Sequence, residues 1–128
     1  MAALRFRALQ ERFAICRFAA DAPFPDWAIS GDFVSVTRSL DELSIVCPID
    51  DIPPDQKPEL VWVALKLEGP FAFGETGILG SFIDPLGAGG VPIFAVSTFD
   101  TDYVLVWEQD FVKALEILQT SGHILLTA

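Results

Sequence analysis

Residues 76–118 read TGILGSFIDPLGAGGVPIFAVSTFDTDYVLVWEQDFVKALEIL, and four structural elements can be predicted from this segment. Apolar residues recur at helical spacing over 76–87, and glycines follow the end of that pattern. Two apolar runs, 93–98 and 102–107, have the composition of β-strands. A second amphipathic pattern over 110–121 predicts another helix, with an acidic start that suits the helix dipole. The segment therefore predicts the order α-β-β-α.

Two further strands are predicted on either side, at 61–68 and 123–126. The resulting order, β-α-β-β-α-β, is the split βαβ arrangement of ferredoxin-like folds. Right-handed crossovers would place both helices on one face of a four-stranded antiparallel sheet, so the sequence predicts an α+β fold. Pro85, late in the first helix, removes one backbone hydrogen bond there and should bend the last turn.

The N-terminal half contains a segment that resembles part of this unit. A β-hairpin is predicted from strands at 33–38 and 42–47. The hairpin region aligns without gaps with residues 93–106 at an offset of sixty, with matching apolar positions and little identity. This internal repeat favours two related units in one chain.

The N-terminal copy is expected to be incomplete. A short helical segment near 25–29 is predicted before the hairpin. The second helix is replaced by the connector 48–58, whose prolines rule out a regular helix or a central strand. We therefore expect an N-terminal unit over 1–58 and a complete C-terminal unit over 59–128.

Composition and charge exclude several function classes. Hydrophobic residues make up 52% of the 128 residues, which indicates a folded domain. A net charge of −10 opposes binding to nucleic-acid phosphates and to anionic membranes. No apolar run approaches the about 20 residues of a membrane helix. Basic residues cluster in the first 17 positions, where a strand with arginines on its solvent side fits better than a transit peptide, so a cytoplasmic location is expected.

Little in the sequence indicates catalysis or a cofactor. Ser81 and His123 have no aspartate at a meaningful spacing for a catalytic triad, and G-x-S-x-G is absent. With one histidine and no Cys-x-x-Cys, neither a metal site nor a cofactor is expected. Cys16 and Cys47 lie in apolar, strand-like runs, which predicts two buried thiols, although the sequence is also compatible with a disulfide.

The polar segment STFDTD, residues 97–102, lies between two apolar strands and has two interpretations. The first interpretation is a hairpin turn, because Asp and Thr bond to their own backbone in turns. The segment is also suited to form one wall of a pocket for a small ligand, and the two interpretations are compatible. An enzyme that uses Asp100 or Asp102 as general base is a third class of function, and it requires a raised carboxylate pKa.

Residues 76–118, together with FVSVTRSLDELSIVCP (33–48) and VALKLEGPF (63–71), resemble small tandem ACT-domain proteins that bind amino acids. This group is similar to the CASTOR arginine sensors and to the regulatory domains of aspartokinases. The resemblance implies tandem ACT folds, with an incomplete ACT-like unit over 1–58 and an ACT domain over 59–128. It also implies little or no catalytic activity and the binding of an amino acid or a similar small zwitterion.

The resemblance further implies where the ligand is held. In the family, the ligand lies between the loop that enters the first helix and a strand end that carries Ser or Thr. The helix start suits the carboxylate of an amino acid, and Asp102 or Asp100 suits its ammonium group. The corresponding residues of this chain are Thr76, Gly77, Ile78, Leu79, Ser97, Thr98, Phe99, Asp100, Thr101 and Asp102.

Two apolar strands, 93–96 and 103–107, lack the alternation of a half-exposed sheet. Their second face is therefore expected to be covered, either by the N-terminal unit or by a second chain. Larger sensors of the family carry four ACT units and this chain carries two, which favours a homodimer that completes the site.

The main alternative function is a structural or protein-interaction module with no ligand.

Overall fold

The structure, a computed structural model, describes residues 3–72 and 74–126. It divides into two compact units. The C-terminal unit comprises the residues from Val63 onward together with those up to Leu9, and the N-terminal unit comprises Gln10–Trp62. Within the described residues, no helix has the length and hydropathy needed to span a membrane.

The N-terminal unit is built on antiparallel strands. Strand β1 contributes its second half, and it pairs with β3 from Phe13↔Pro48 to Phe18↔Leu43. Strands β2 and β3 form the predicted hairpin, in which Arg38 pairs with Leu43. The connector that follows contains two short 3-10 turns. The strands are β1 (Arg5–Phe18), β2 (Ser35–Arg38) and β3 (Leu43–Pro48), and the 3-10 turns are Ile49–Asp51 and Pro54–Gln56.

Residues 25–29 do not form the predicted helical segment, so that prediction was wrong. They form turns and bends, and Ala28 is buried in the core of the unit. A segment this short cannot offset the cost of helix nucleation. The preceding loop is instead held by Arg38, whose guanidinium donates to the carbonyls of Ala20 and, at 2.8 Å, Ala22.

The C-terminal unit has the predicted element order, β-α-β-β-α-β. Strands β5 and β6 form an antiparallel hairpin in which Ile93 pairs with Val106 and Ser97 pairs with Asp102. Strand β6 lies between β4 and β5. The elements are β4 (Trp62–Leu67), α1 (Ile78–Ala88), β5 (Ile93–Ser97), β6 (Asp102–Trp107), α2 (Phe111–Thr120) and β7 (Ile124–Leu125), with a 3-10 turn at Glu108–Asp110 before α2.

The sheet of this unit differs from the predicted four antiparallel strands, because the start of β1 joins it. Strand β7 pairs with β1 in parallel, and β1 is also a neighbour of β4. Leu4 and Phe6 are buried while the intervening Arg5 is exposed, as expected for a strand with arginines on its solvent side. Arg7 adds an ion pair with Glu68 at 2.8 Å. The sequence did not predict β1 as part of this sheet, because β1 lies far in the sequence from the other strands of the unit.

The core of the C-terminal unit lies between the helices and the strands. Phe82 and Leu86 of α1 and Ala114 and Leu118 of α2 are fully buried against apolar strand residues such as Leu65. The two helices also pack against each other. The apolar spacing seen in the sequence is therefore the buried face of each helix.

Pro85 has a specific structural partner in this arrangement. In a regular helix the amide of residue 85 would bond to the carbonyl of Ser81, and proline has no amide hydrogen. His123 is buried, and its Nε2 lies 3.0 Å from the Ser81 carbonyl oxygen. The other ring nitrogen, Nδ1, accepts a hydrogen bond from the Leu4 amide at 3.1 Å, so Nε2 carries the proton and donates to Ser81. His123 thus replaces the bond that Pro85 removes.

The two hairpins repeat each other at an offset that differs by one residue from the sequence alignment. The last strand pair is Arg38↔Leu43 in one hairpin and Ser97↔Asp102 in the other, an offset of 59 (38 to 97 and 43 to 102). The predicted offset of sixty was therefore wrong by one residue. The error arose because residues 93–96 and 103–107 are continuously apolar, so that a shift of one position still aligns apolar residues of the first hairpin with apolar residues of the second.

Candidate ligand-binding site

A cavity of about 300 Å³ lies within the C-terminal unit, between the start of α1 and the tip of the β5–β6 hairpin. Its size is at the small end of the range for ligand pockets. The residues that line it are Phe71, Ala72, Glu75, Gly77, Ile78, Leu79, Gly80, Ser97, Thr98, Phe99, Asp100, Thr101 and Asp102.

The cavity brings together the residues predicted from the sequence, with the exception of Thr76. Thr76 is exposed and is not part of the lining. Four lining residues were not predicted: Phe71, Ala72, Glu75 and Gly80. Phe71 and Ala72 belong to the loop that enters the helix, and no local pattern distinguishes them from other loop residues. Gly80 lies one helical position beyond Leu79. Its amide is among the first four of the helix, which have no acceptor within the helix, so Gly80 could have been predicted as a lining residue.

The start of α1 forms one wall of the cavity. The N-cap residue Gly77 has a left-handed backbone (φ 77°, ψ 0°), a conformation that glycine adopts without steric cost. Its carbonyl accepts the first helical bond from the Ser81 amide at 3.0 Å, and Gly77 has no side chain that could cap the helix. The amides of Ile78, Leu79 and Gly80 have no acceptor within the helix. This wall is therefore a set of backbone donors at the positive end of a helix dipole.

The hairpin tip forms the opposite wall, and it is a turn closed by its own side chain. The Thr98 amide donates to the Thr101 carbonyl at 2.8 Å, and the Thr98 hydroxyl donates to the same carbonyl at 3.0 Å. The Thr101 amide in turn donates to the Thr98 hydroxyl at 3.3 Å. The interpretation of this segment as a turn is thus confirmed, and the Thr98 hydroxyl is already engaged within it.

The tip is anchored to the end of β4. The buried Thr101 hydroxyl donates to the Leu67 carbonyl at 2.7 Å, and the Phe71 amide donates to the Asp100 carbonyl at 2.8 Å. The backbone approaches so closely that a Cβ added at Gly69 would lie 2.8 Å from the Asp100 carbonyl oxygen. Thr101 therefore lines the cavity chiefly as a structural residue that anchors the tip to the end of β4.

The charged side chains of the lining are acidic. Ser97 donates its hydroxyl hydrogen to Oδ1 of Asp102, which orients that carboxylate. Glu75 accepts a hydrogen bond from the Ala72 amide at 2.9 Å, and Asp100 is exposed at the rim. Among the described lining residues there is no Lys, Arg or His. Backbone donors at the start of α1 and the carboxylates of Asp100 and Asp102 at the hairpin tip match a small molecule with a negative and a positive end.

Fold and cavity together define a class of protein: a ferredoxin-like βαββαβ unit with a small polar cavity at the start of its first helix. A family model for the ACT domain matches residues 59–120, and a second family model, for an N-terminal domain, matches residues 11–55. The chain belongs to the ACT-domain proteins, as its sequence predicted. ACT domains are typically regulatory modules that bind small molecules.

Three known proteins illustrate this relationship. The crystal structure of an Agobacterium tumefaciens protein is 46% identical, covers 98% of this chain and 94% of its own, and has a TM-score of 0.89. Aspartate kinase from Clostridium acetobutylicum shares the fold at 15% identity, over 91% of this chain and 34% of the kinase, with a TM-score of 0.62. The human cytosolic arginine sensor for mTORC1 subunit 1 is 33% identical over 60 residues, 46% of this chain but only 18% of the sensor.

Proposed function

We propose that the C-terminal unit binds a free amino acid in this cavity and acts as a non-catalytic sensor or regulatory module. The observation that carries the proposal is the pairing of walls: the uncapped start of α1 and the carboxylate of Asp102 line the same small cavity. An amino acid presents a carboxylate and an ammonium group on one carbon atom. Each group would meet a partner of opposite polarity.

The expected contacts follow from the chemistry of the two walls. The ligand carboxylate accepts from the amides of Ile78, Leu79 and Gly80, and the ligand ammonium donates to Asp102. Hydrogen bonds of this charged type contribute roughly 1.5–3 kcal/mol each. Two or three of them correspond to dissociation constants from about micromolar to millimolar, which suits a sensor of metabolite concentration.

The remaining carboxylates favour a basic amino acid as ligand. Glu75 and Asp100 extend the negative charge of the lining beyond Asp102. A ligand with a second positive group would offset this charge, whereas an acidic amino acid would be repelled. The human relative is an arginine sensor by name, which makes arginine the first ligand to test.

A thermal-shift screen of the twenty amino acids, followed by calorimetry, tests the proposal. A ligand present at one hundred times its dissociation constant should stabilise the protein by about 2.7 kcal/mol. If arginine binds, agmatine, which lacks the carboxylate, should bind much more weakly, because the amides of α1 then have no partner. A protein that responds to no amino acid, or equally well to the analogue without the carboxylate, would rule out the proposed mode.

Regulation follows if the ligand favours one arrangement of α1 and the hairpin tip, because a ligand shifts a conformational equilibrium by the difference in its affinity for the two states.

We further propose that the protein is a cytoplasmic homodimer. Strand β5 is the last strand in its sheet order, and Ile93, Phe94 and Val96 are only partly buried. Light scattering should report twice the 14.0 kDa chain mass, and a monomer at high micromolar concentration would contradict the dimer.

A further inference from the structure

Cys16 and Cys47 are brought together in the N-terminal unit, which the sequence left open. The register of β1 and β3 pairs Ala14 with Cys47 and Cys16 with Ile45. The two cysteines are therefore diagonal neighbours on one face of an antiparallel pair, since alternate residues share a face. Both are reduced and buried in the same apolar cluster. The two thiols influence each other's pKa.

The two thiols differ in acidity. The hydrogen bond from Cys47 lowers the pKa of Cys16 despite the opposing effect of burial. The same bond, burial and the negative charges of Cys16 and Asp51 raise the pKa of Cys47. The thiolate is the nucleophilic form of cysteine, so Cys16 is the more readily ionised thiol of the pair.

The two thiols also differ in access. Cys16 lines a second cavity, of about 350 Å³, together with Ile15, Arg17, Phe18, Gln56 and Pro58. Cys16 retains 9% of its surface, whereas Cys47 retains none. A small oxidant that enters this cavity would meet Cys16, whereas Cys47 is not among the residues that line it.

We propose that Cys16 and Cys47 form a peroxide-sensitive dithiol, in which Cys16 is oxidised first and Cys47 resolves it to an intrachain disulfide. The Cys16 thiolate attacks one oxygen of hydrogen peroxide; the O–O bond breaks, and the departing hydroxide takes up a proton as water. The resulting sulfenic acid is attacked by the sulfur of Cys47. The S–O bond breaks, and the departing hydroxide leaves as a second water with the Cys47 proton. Two thiols and one peroxide thus give one disulfide and two waters.

The diagonal register favours a bond that reductants open again. Diagonal neighbours lie about 7–8 Å apart at Cα, while disulfides usually span about 4.4–6.8 Å. The excess separation runs along the strands, so closing the bond must distort the backbone of β1 and β3 around the two cysteines. Disulfides that form under strain are the more easily reduced ones, which suits a reversible modification.

Peroxide titration of the full chain, followed by mass spectrometry after a denaturing quench with N-ethylmaleimide, tests the proposal. The wild-type chain should lose two hydrogen atoms, become unreactive towards N-ethylmaleimide, and recover both thiols in dithiothreitol. Cys47→Ser should accumulate a sulfenic acid on Cys16 that dimedone traps. Cys16→Ser should stay unmodified at the same peroxide dose.

Three results would overturn the proposal: equal oxidation of the two variants, a disulfide that forms only between chains, or oxidation that requires unfolding of the chain. Circular dichroism of each variant checks its fold. If a serine variant does not fold, alkylation of the wild-type chain with peptide mapping replaces it. Cys16 must then react before Cys47, and the reverse order would contradict the assignment.

Discussion

The tips of the two hairpins, Ser39–Glu42 and Thr98–Thr101, are built in the same way. In each, the amide of the first residue donates to the carbonyl of the fourth, at 2.9 Å in the first tip and 2.8 Å in the second. In each, the hydroxyl of the first residue accepts from the amide of the fourth, at 3.3 Å in both. The second residue is apolar and exposed in both, as Leu40 and Phe99.

The surroundings of the two tips differ. Thr98–Thr101 lines a cavity together with the uncapped start of α1. Residues 10–62, all of which the structure describes, contain no α-helix to place opposite Ser39–Glu42. The turn therefore needs only the local sequence, since Ser, Thr and Asp stabilise it wherever it occurs. In our proposal, a ligand site needs the helix start as well, so the polar character of the segment is insufficient evidence of binding.

The largest expected effect comes from His123, which holds the helix that distinguishes the two units. His123→Ala leaves the Leu4 amide and the Ser81 carbonyl without partners, at a cost of about 2–4 kcal/mol for two buried groups. Urea denaturation measures this loss. Pro85→Ala restores an amide opposite Ser81, so the double variant should lose less stability than His123→Ala alone. Strictly additive effects would contradict the assigned role of His123.

The next largest effect is on affinity. Asp102→Ala removes the carboxylate proposed to bind the ligand ammonium, and a loss of about 1.5–3 kcal/mol corresponds to roughly 10- to 150-fold weaker binding. The matched control is Asp41→Ala, an exposed carboxylate in the hairpin tip of the N-terminal unit. Calorimetry should show that this control leaves the dissociation constant unchanged. Equal losses in the two variants would indicate a nonspecific effect of net charge.

A smaller effect separates the turn from the site. Thr98→Val and Ser39→Ala each remove the hydroxyl that closes a tip, and each should lower the unfolding free energy by about 0.5–1.5 kcal/mol. Ligand affinity should fall in Thr98→Val, because the wall of the cavity loosens, and should stay constant in Ser39→Ala. A change in affinity from Ser39→Ala would show that the two tips are not independent.

The smallest effect concerns the exposed apolar residues. Phe99→Ser and Leu40→Ser should each change stability by no more than about 0.5 kcal/mol, because both side chains are largely in solvent. Phe99 lines the cavity and Leu40 does not, so Phe99→Ser alone should change the affinity, by a few-fold at most. An equal change in both would remove the distinction between the tips.

The elements of the C-terminal unit could be predicted because their signals are local. The helical spacing of Phe82 and Leu86 and the apolar runs of β5 and β6 lie within short windows of sequence. The cavity residues could be predicted only from the resemblance to ACT domains, because the sequence of a turn such as Thr98–Thr101 has the same features with or without a ligand. Helix positions could be read from spacing alone, but the partners of the helix start could not.

Long-range partners account for the rest. The pairing of β1 with β7, the bond from His123 to Ser81 and the approach of Cys16 to Cys47 join residues that are far apart in the sequence. No periodicity or composition encodes such a pair. Pro85 was a visible irregularity, but its compensation lay outside any window around it.

The most direct test of the central claim is an amide NMR titration of the wild-type chain with its amino-acid ligand. The account predicts that the amides of Ile78, Leu79 and Gly80 shift together with those of residues 97–102, along one binding curve. The amides of Ser39–Glu42 should stay in place. If the start of α1 and the β5–β6 tip respond to different ligands, or if neither responds, the two walls do not form one amino-acid site.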